Sequence, residues 1–283
     1  MRLQDMCREY NIRFKKQLGQ NLLLDDNINR IMVDAAALSE EDDVIEVGAG
    51  LGALTEKLYP LARRILAIEI DPSFMPCLED RFETVDNIRL FRGDVLNHEP
   101  RKLAEEYLPG PDRLKMASNL PYYITTPILF HFWESSLHFD RMIVMVQAEV
   151  AERLCAGVNT ANYGVLALAA EYYSEVDIVH HVPKTCFRPM PKVDSCVVRL
   201  RNRETPLYPG VAHDLLFGII HKAFRQRRKT LRNTLGKAPE LGIDRDAALD
   251  ALSETGIDPS RRPQTLTLAE FAAVAKALSK KRA

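Results

Sequence analysis

The chain has 283 residues, 46% of them hydrophobic and 27% charged, a composition that excludes disorder, collagen-like repeats and low complexity. No apolar run approaches the ~20 residues needed to cross a bilayer. The opening Met1-Arg2-Leu3-Gln4-Asp5 also lacks the apolar core of a secretory signal, so a cytoplasmic protein without a membrane partner is expected. The net charge of −1 hides an asymmetry: residues 1–204 carry 24 Lys+Arg against 31 Asp+Glu, and residues 205–283 carry 14 against 8. An acidic body with a basic tail hints at nucleic-acid binding. Five cysteines (Cys7, Cys77, Cys155, Cys186, Cys196) are odd in number, widely spread and without a C-x-x-C pair, which suggests free thiols rather than a disulfide framework or a zinc site. The seven histidines show no ligand spacing, and no metal is expected.

In chain order, short β-branched runs at 44–47, 64–70, 87–90, 114–117 and 142–146 alternate with mostly helix-length segments. This predicts an α/β protein built on a doubly wound parallel sheet, with its ligands outside the carboxyl ends of the strands. Runs at 176–182 and 195–200 flank a loop containing Pro183, Pro189 and Pro191 and predict an antiparallel pair closing one edge. The punctuation Thr205-Pro206-Leu207-Tyr208-Pro209-Gly210 then gives way to helical periodicity. Domains are therefore expected at 1–204 and 205–283, the second small and all-helical. Its first helix, starting near Asp214 as a possible cap, is expected to place Leu216, Ile220, Ala223, Phe224, Leu231 and Leu235 on one apolar arc. Lys222, Arg225, Lys229 and Arg232 fall on the other side. No acidic residue interrupts 222–237, which favours a phosphate-contacting surface over a merely solvated one.

The chemistry gathers at strand ends. The first run enters Gly48-Ala49-Gly50-Leu51-Gly52-Ala53, a glycine-rich turn opening a helix, where bare backbone lets a nucleotide-like ligand approach. It satisfies both the dinucleotide pattern G-x-G-x-x-[GA] and, from Glu46, the E-x-G-x-G-x-G form of S-adenosylmethionine enzymes. Glu69, 21 residues after Gly48, can accept hydrogen bonds from both ribose hydroxyls, which either cofactor has. Two later strand ends separate the cofactors. Asp94, in Gly93-Asp94-Val95-Leu96, can accept an adenine amino group. Asn119-Leu120-Pro121-Tyr122 has no use in a dehydrogenase but suits methylation of an adenine N6. That amine is a poor nucleophile because its lone pair is delocalised into the ring, and it needs acceptors for its two hydrogens. The Asn119 side-chain oxygen and the Leu120 carbonyl could supply them, with Pro121 fixing the backbone and the Tyr122 ring stacking an extruded base. Rate would come from orientation and electrostatics, with neither a metal nor a covalent enzyme intermediate required.

With these motifs the chain resembles the ribosomal RNA adenine N6,N6-dimethyltransferases, in particular their small-subunit branch. The resemblance covers nearly the whole length. Residues 15–25, Lys-Lys-Gln-Leu-Gly-Gln-Asn-Leu-Leu-Leu-Asp, are similar to the family's amino-terminal cofactor motif, with Leu22 in place of the usual Phe. Ala49 stands where Pro is common. Residues 187–195 (Phe-Arg-Pro-Met-Pro-Lys-Val-Asp-Ser) resemble the substrate-side loop, residues 223–233 the carboxyl-domain helix, and Arg262-Pro263-Gln264-Thr265-Leu266 the closing signature, with Gln264 where Glu is frequent. The resemblance implies a Rossmann-like class I S-adenosylmethionine-dependent methyltransferase. In it Asn21, Leu23, Gly48, Gly50, Glu69, Asp94 and Asn119 contact S-adenosylmethionine, and Tyr122 and Phe187 sandwich the target adenine. Asn at 119, where DNA adenine methyltransferases typically carry an acid, points to the RNA branch. A general base is not expected, because the amine becomes strongly acidic once methylated.

The expected function is transfer of methyl groups to N6 of two adjacent adenosines near the 3′ end of small-subunit (16S) ribosomal RNA during subunit biogenesis, the number and place coming from the resemblance. The expected partners are that RNA and the small ribosomal subunit, bound through Lys222, Arg225, Arg228, Lys229 and Arg232 by a monomeric enzyme. Three alternatives stand beside it: a large-subunit methyltransferase of the macrolide-resistance type, a subunit assembly factor whose catalysis is secondary, and a nicotinamide dehydrogenase resting on residues 48–53 alone.

Overall fold

The computed structural model describes residues 3–15, 18–111, 113–236 and 242–280. Lys16 and Gln17 of the amino-terminal motif and Lys237 of the basic run lie outside them. Among the described residues nine strands form: β1 (Leu22–Leu23), β2 (Asp43–Val47), β3 (Arg64–Glu69), β4 (Ile88–Arg92), β5 (Leu114–Asn119), β6 (Arg141–Gln147), β7 (Ser174–Val182), β8 (Phe187–Arg188) and β9 (Ser195–Asn202). Seven of them make one sheet in the order β4-β3-β2-β5-β6-β9-β7, while β1 and β8 pair separately. The pairs from β4 across to β6 are parallel, as strands that are apolar on both faces require; β2 is buried at all five positions. The chain leaves β2 toward β3 and β4, then returns to its other side with β5 and β6. The order thus reverses between β2 and β5, the position where open α/β sheets form their crevice.

The expected antiparallel edge is present. β9 runs antiparallel to β6 and lies between it and β7. Its contacts to β7, Arg199 to Asp177 and Cys196 to His181, run in opposite chain directions.

Two compact units result. One takes the chain up to Ala151 together with Glu175–Glu204; the other takes Glu152–Ser174 and the chain from Thr205 onward. Residues 152–174, expected within the first domain, therefore belong to the second. The physical reason is helix Val165–Tyr173, buried on nearly all sides at Leu166, Ala167, Leu168, Ala169, Ala170, Tyr172 and Tyr173. Such a helix needs apolar neighbours all round, and it packs on helices His213–Arg225 and Leu268–Lys280 of its own unit. The Tyr173 hydroxyl meets His213 Nε2 at 2.7 Å, and the Tyr163 hydroxyl donates to the Leu266 carbonyl at 2.9 Å.

The first helix after residue 205 is also shorter than its periodicity suggested. It spans His213–Arg225, with Ala212 rather than Asp214 at the cap, and a separate short helix covers Leu231–Leu235. Between them, residues 225–230 offer six polar positions in a row, so a full turn lacks an apolar side chain to bury. Arg227 turns inward instead and donates to the carbonyls of Ala161 (2.6 Å) and Thr160 (2.9 Å) and to Gln264 Oε1 (3.0 Å). Leu231 and Leu235 still reach the core.

Candidate active site

At the switch point, β2 and β5 stay in register only from Asp43↔Leu114 to Ile45↔Met116. Beyond that they part, and the Val47 amide takes the buried Ser118 hydroxyl as its acceptor at 2.9 Å. The opening holds the glycine turn on one side and the end of β5 on the other. Gly48 has φ +81°, in the left-handed region, and a Cβ there would sit 3.5 Å from the Asn119 carbonyl oxygen and the Pro121 ring. The cofactor-type turn and the Asn119-Leu120-Pro121-Tyr122 turn therefore face each other across a gap that a single Cβ would bridge, and a side chain at 48 would be strained by the positive φ of the backbone. Gly52 meets a different demand: its Cβ would lie 2.6 Å from the Phe82 ring, so this glycine lets the turn pack on the helix Met75–Phe82.

One cleft of about 1010 Å³, counted out to its open mouth, is lined by Asn21, Leu23, Gly48, Gly50, Glu69, Asp94, Asn119, Leu120, Pro121 and Tyr122. Every residue expected to hold cofactor is thus brought to one place. Glu69, 5% exposed at the end of β3, is aimed by two amides, Gly50 N–H to Oε2 and Asp71 N–H to Oε1, both at 2.8 Å. Each oxygen keeps a lone pair for a further donor. Burial raises the Glu69 pKa above the ordinary carboxylate value, against the lowering effect of those amides. Asp94 caps the turn after β4 by accepting from the Leu96 amide at 3.0 Å. Glu46 lies beneath the loop, 1% exposed, and accepts from the Thr55 hydroxyl at 2.6 Å. Burial, reinforced by the nearby Glu69 charge, pushes it up to about 8 even with that hydrogen bond opposing, so near neutral pH it is largely protonated.

The base side is built at the end of β5. The Leu120 amide donates to the Met145 carbonyl at 3.1 Å, which fixes the plane of the Asn119–Leu120 peptide, and Pro121 holds φ at −58°. Among the described residues neither the Asn119 side chain nor the Leu120 carbonyl is engaged in a hydrogen bond, so both remain available as acceptors. Tyr122 contacts Phe187, with ring centroids 6.4 Å apart at 72°. The two rings stand edge to face rather than parallel, and Phe187 is 3% exposed. The Tyr122 hydroxyl is 2.6 Å from Ser195 Oγ.

Sequence reasoning gave no role to a clasp that holds the amino-terminal strap over the cleft. Asp71 Oδ1 accepts from Lys15 Nζ and Oδ2 from Gln20 Nε2, both at 2.7 Å. Burial of Asp71 would raise its pKa, but hydrogen bonds from Lys15, the Ser73 amide, Gln20 and the Ser73 hydroxyl bring it down to about 2. The signal was legible: a second acid stands two residues after Glu69, and Lys15 and Gln20 lie in the amino-terminal motif. The strap is also tied to the substrate side, where β1 pairs with β8, Leu23 opposite Phe187, and the Leu24 amide donates to the Cys186 carbonyl at 2.7 Å.

The five residues expected to bind RNA lie in the second unit, described by itself. Lys222, Arg225 and Lys229 line a concave basic groove with Gln226, Asn233 and Thr234. Arg228 and Arg232 are not among the residues that line it.

The Asn119-Leu120-Pro121-Tyr122 turn beside Gly48 has no use in a nicotinamide enzyme, and the sheet order with this cleft fits a Rossmann-like methyltransferase. The ribosomal RNA adenine dimethylase family profile matches residues 11–280, and the chain belongs to that family. It is 43% identical over 283 residues to a protein of Geobacillus sp. (strain WCH70) named ribosomal RNA small subunit methyltransferase A, covering 98% of this chain and 96% of the relative. Among solved structures it is similar to a dimethyladenosine transferase from Plasmodium falciparum (TM-score 0.78, 26% identity, 92% of this chain and 98% of that one). It is also similar to the 23S rRNA methyltransferase ErmE (TM-score 0.64, 25% identity, 91% and 99%).

Proposed function

We propose that this protein transfers methyl groups from S-adenosylmethionine to N6 of two adjacent adenosines near the 3′ end of small-subunit ribosomal RNA, in an assembling subunit. The observation that carries the reading is the proximity of the two turns at the switch point, where a Cβ on Gly48 would come within 3.5 Å of the Asn119 carbonyl and the Pro121 ring: a cofactor held on the glycine turn would meet a base held on the Asn119 turn. The residues fit that cofactor. Glu69 would take the ribose hydroxyls, Asp94 the adenine amine, and Asn21, Leu23, Gly48 and Gly50 would close round the rest.

When bound, S-adenosylmethionine supplies an electrophilic sulfonium methyl. The protein's own work is orientation. Asn119 Oδ1 and the Leu120 carbonyl accept the two hydrogens of the target amine, turning its lone pair toward the glycine turn. The Tyr122 ring gives the extruded base a face on which to stack. After the first methylation one N–H remains, and a neutral Asn119 can still accept it. The proton lost at each step goes to solvent or to a carbonyl. The basic groove at Lys222, Arg225 and Lys229 is assigned to RNA phosphates.

Incubation with labelled S-adenosylmethionine and undermethylated small subunits, large subunits or naked RNA, followed by mass identification of the nucleoside, tests the reading. Dimethyladenosine on small subunits alone is expected. Dimethyladenosine only on large-subunit RNA would replace it with the ErmE-like activity, and tight subunit binding without transfer would make the protein an assembly factor.

A further inference from the structure

Tyr122 is touched by both ends of the 187–195 segment. Phe187 meets the ring by its edge, and Ser195, fully buried, holds the phenol oxygen at 2.6 Å. Ser195 is itself rigidly placed. It begins β9 opposite Gln147 at the end of β6; the preceding Asp194 accepts the Ala148 amide on its carbonyl at 3.0 Å and the Lys184 amide on Oδ1 at 2.9 Å.

The target amine and its acceptors make no demand on the Tyr122 hydroxyl, so the phenol's partner must serve the ring. A tyrosine ring turns about the axis through Cβ, Cγ and the phenol oxygen, a broad two-fold torsion. A phenol hydroxyl bonds best in the plane of the ring it is conjugated with, so a partner fixed at the oxygen holds both the far end and the plane of the ring against that rotation.

We propose that Ser195 is a positioning residue that, through the Tyr122 phenol oxygen, holds the Tyr122 ring in the place and plane on which the target adenine stacks. The inference rests on the functional reading above, in which Tyr122 stacks the base. It assigns the loop's last residue a part in turnover rather than in cofactor binding, since Ser195 does not line the cofactor cleft.

The test compares Ser195→Ala, Tyr122→Phe and the double variant on undermethylated small subunits, with kcat, KM, the cofactor dissociation constant and the thermal midpoint measured for each. Both single variants are expected to lose turnover by roughly five-fold, the equivalent of about 1 kcal/mol for one hydrogen bond. KM and cofactor affinity should stay within about two-fold of the parent by the same reasoning. The double variant should be no slower than the slower single, because both remove one interaction. In stability, Ser195→Ala should cost more than the double variant, since it leaves a phenol without its partner.

A folded Ser195→Ala with full kcat, or additive losses in the double variant, would overturn the positioning role. A Tyr122→Phe defect without a Ser195→Ala defect would do the same, by showing that the hydroxyl serves something else. Wild-type protein that transfers no methyl to subunits would instead overturn the functional reading, and the positioning role with it.

Discussion

Glu46 offers the sharpest test of the cleft's electrostatics. It is 1% exposed, it accepts from the Thr55 hydroxyl at 2.6 Å, and burial with the Glu69 charge raises its pKa to about 8. In the unfolded chain it titrates near 4.5. Below that pH both states hold the proton, and Glu46 makes stability independent of pH. Between 4.5 and about 8 the unfolded state has released the proton and the folded state has not, so stability falls with rising pH at up to about 1.4 kcal/mol per unit. Above about 8 both are ionised and the dependence ends. Glu46→Gln keeps an oxygen for Thr55 and removes the titration. Urea unfolding of both proteins from about pH 5 to 7 should therefore show their stabilities diverging by about 3 kcal/mol, with the variant gaining on the parent as pH rises. Parallel curves across that range would show that Glu46 is already ionised in the folded protein, and the reasoning from burial would fail.

Asn119→Ala should lower turnover on the order of a hundred-fold or more through loss of an orienting acceptor. Cofactor affinity should survive in part and the fold should be intact; a near-normal single-turnover rate would remove Asn119 from its assigned role. Asp71→Asn should loosen the strap over the cleft and raise the cofactor dissociation constant about ten-fold, in the range of one charge-assisted hydrogen bond, as isothermal titration would read. Because its pKa is depressed to about 2, the stability Asp71 contributes is present above pH 3.8 and lost as pH falls through about 2. The parent's advantage over Asp71→Asn should shrink across that window in acid unfolding. Replacing Arg225 and Lys229 by Gln should weaken subunit binding and flatten its salt dependence by roughly 0.7–0.9 of a slope unit for each phosphate no longer neutralised; an unchanged slope would mean that the groove is only solvated.

The parallel strands, the edge pair and the ligand-bearing strand ends could be read from the chain because each rests on local rules. β-branched runs with apolar residues at successive positions form buried strands, and glycines that must take positive φ interrupt them where a ligand approaches. Gly48, Glu69, Asp94 and Asn119 were legible for the same reason, since strand ends in a parallel sheet all face one crevice. Other features depend on which distant residues meet. The helix at Val165–Tyr173 joined the second unit because its apolar surface fits the helices there, a matter of three-dimensional complementarity that periodicity cannot express. The single helix expected from residue 214 to 235 broke because Arg227 found three acceptors on remote loops, a tertiary gain that outweighs one helical turn. Only the folded structure joins Lys15 and Gln20 to Asp71, more than fifty residues away along the chain, and Ser195 to Tyr122, 73 residues away. The sequence by itself determined the secondary elements and which residue types stand at the ends of the strands. Tertiary structure decided which side chains hold those residues in place, because a hydrogen bond depends on ångström separations that the spacing of residues along a chain does not encode.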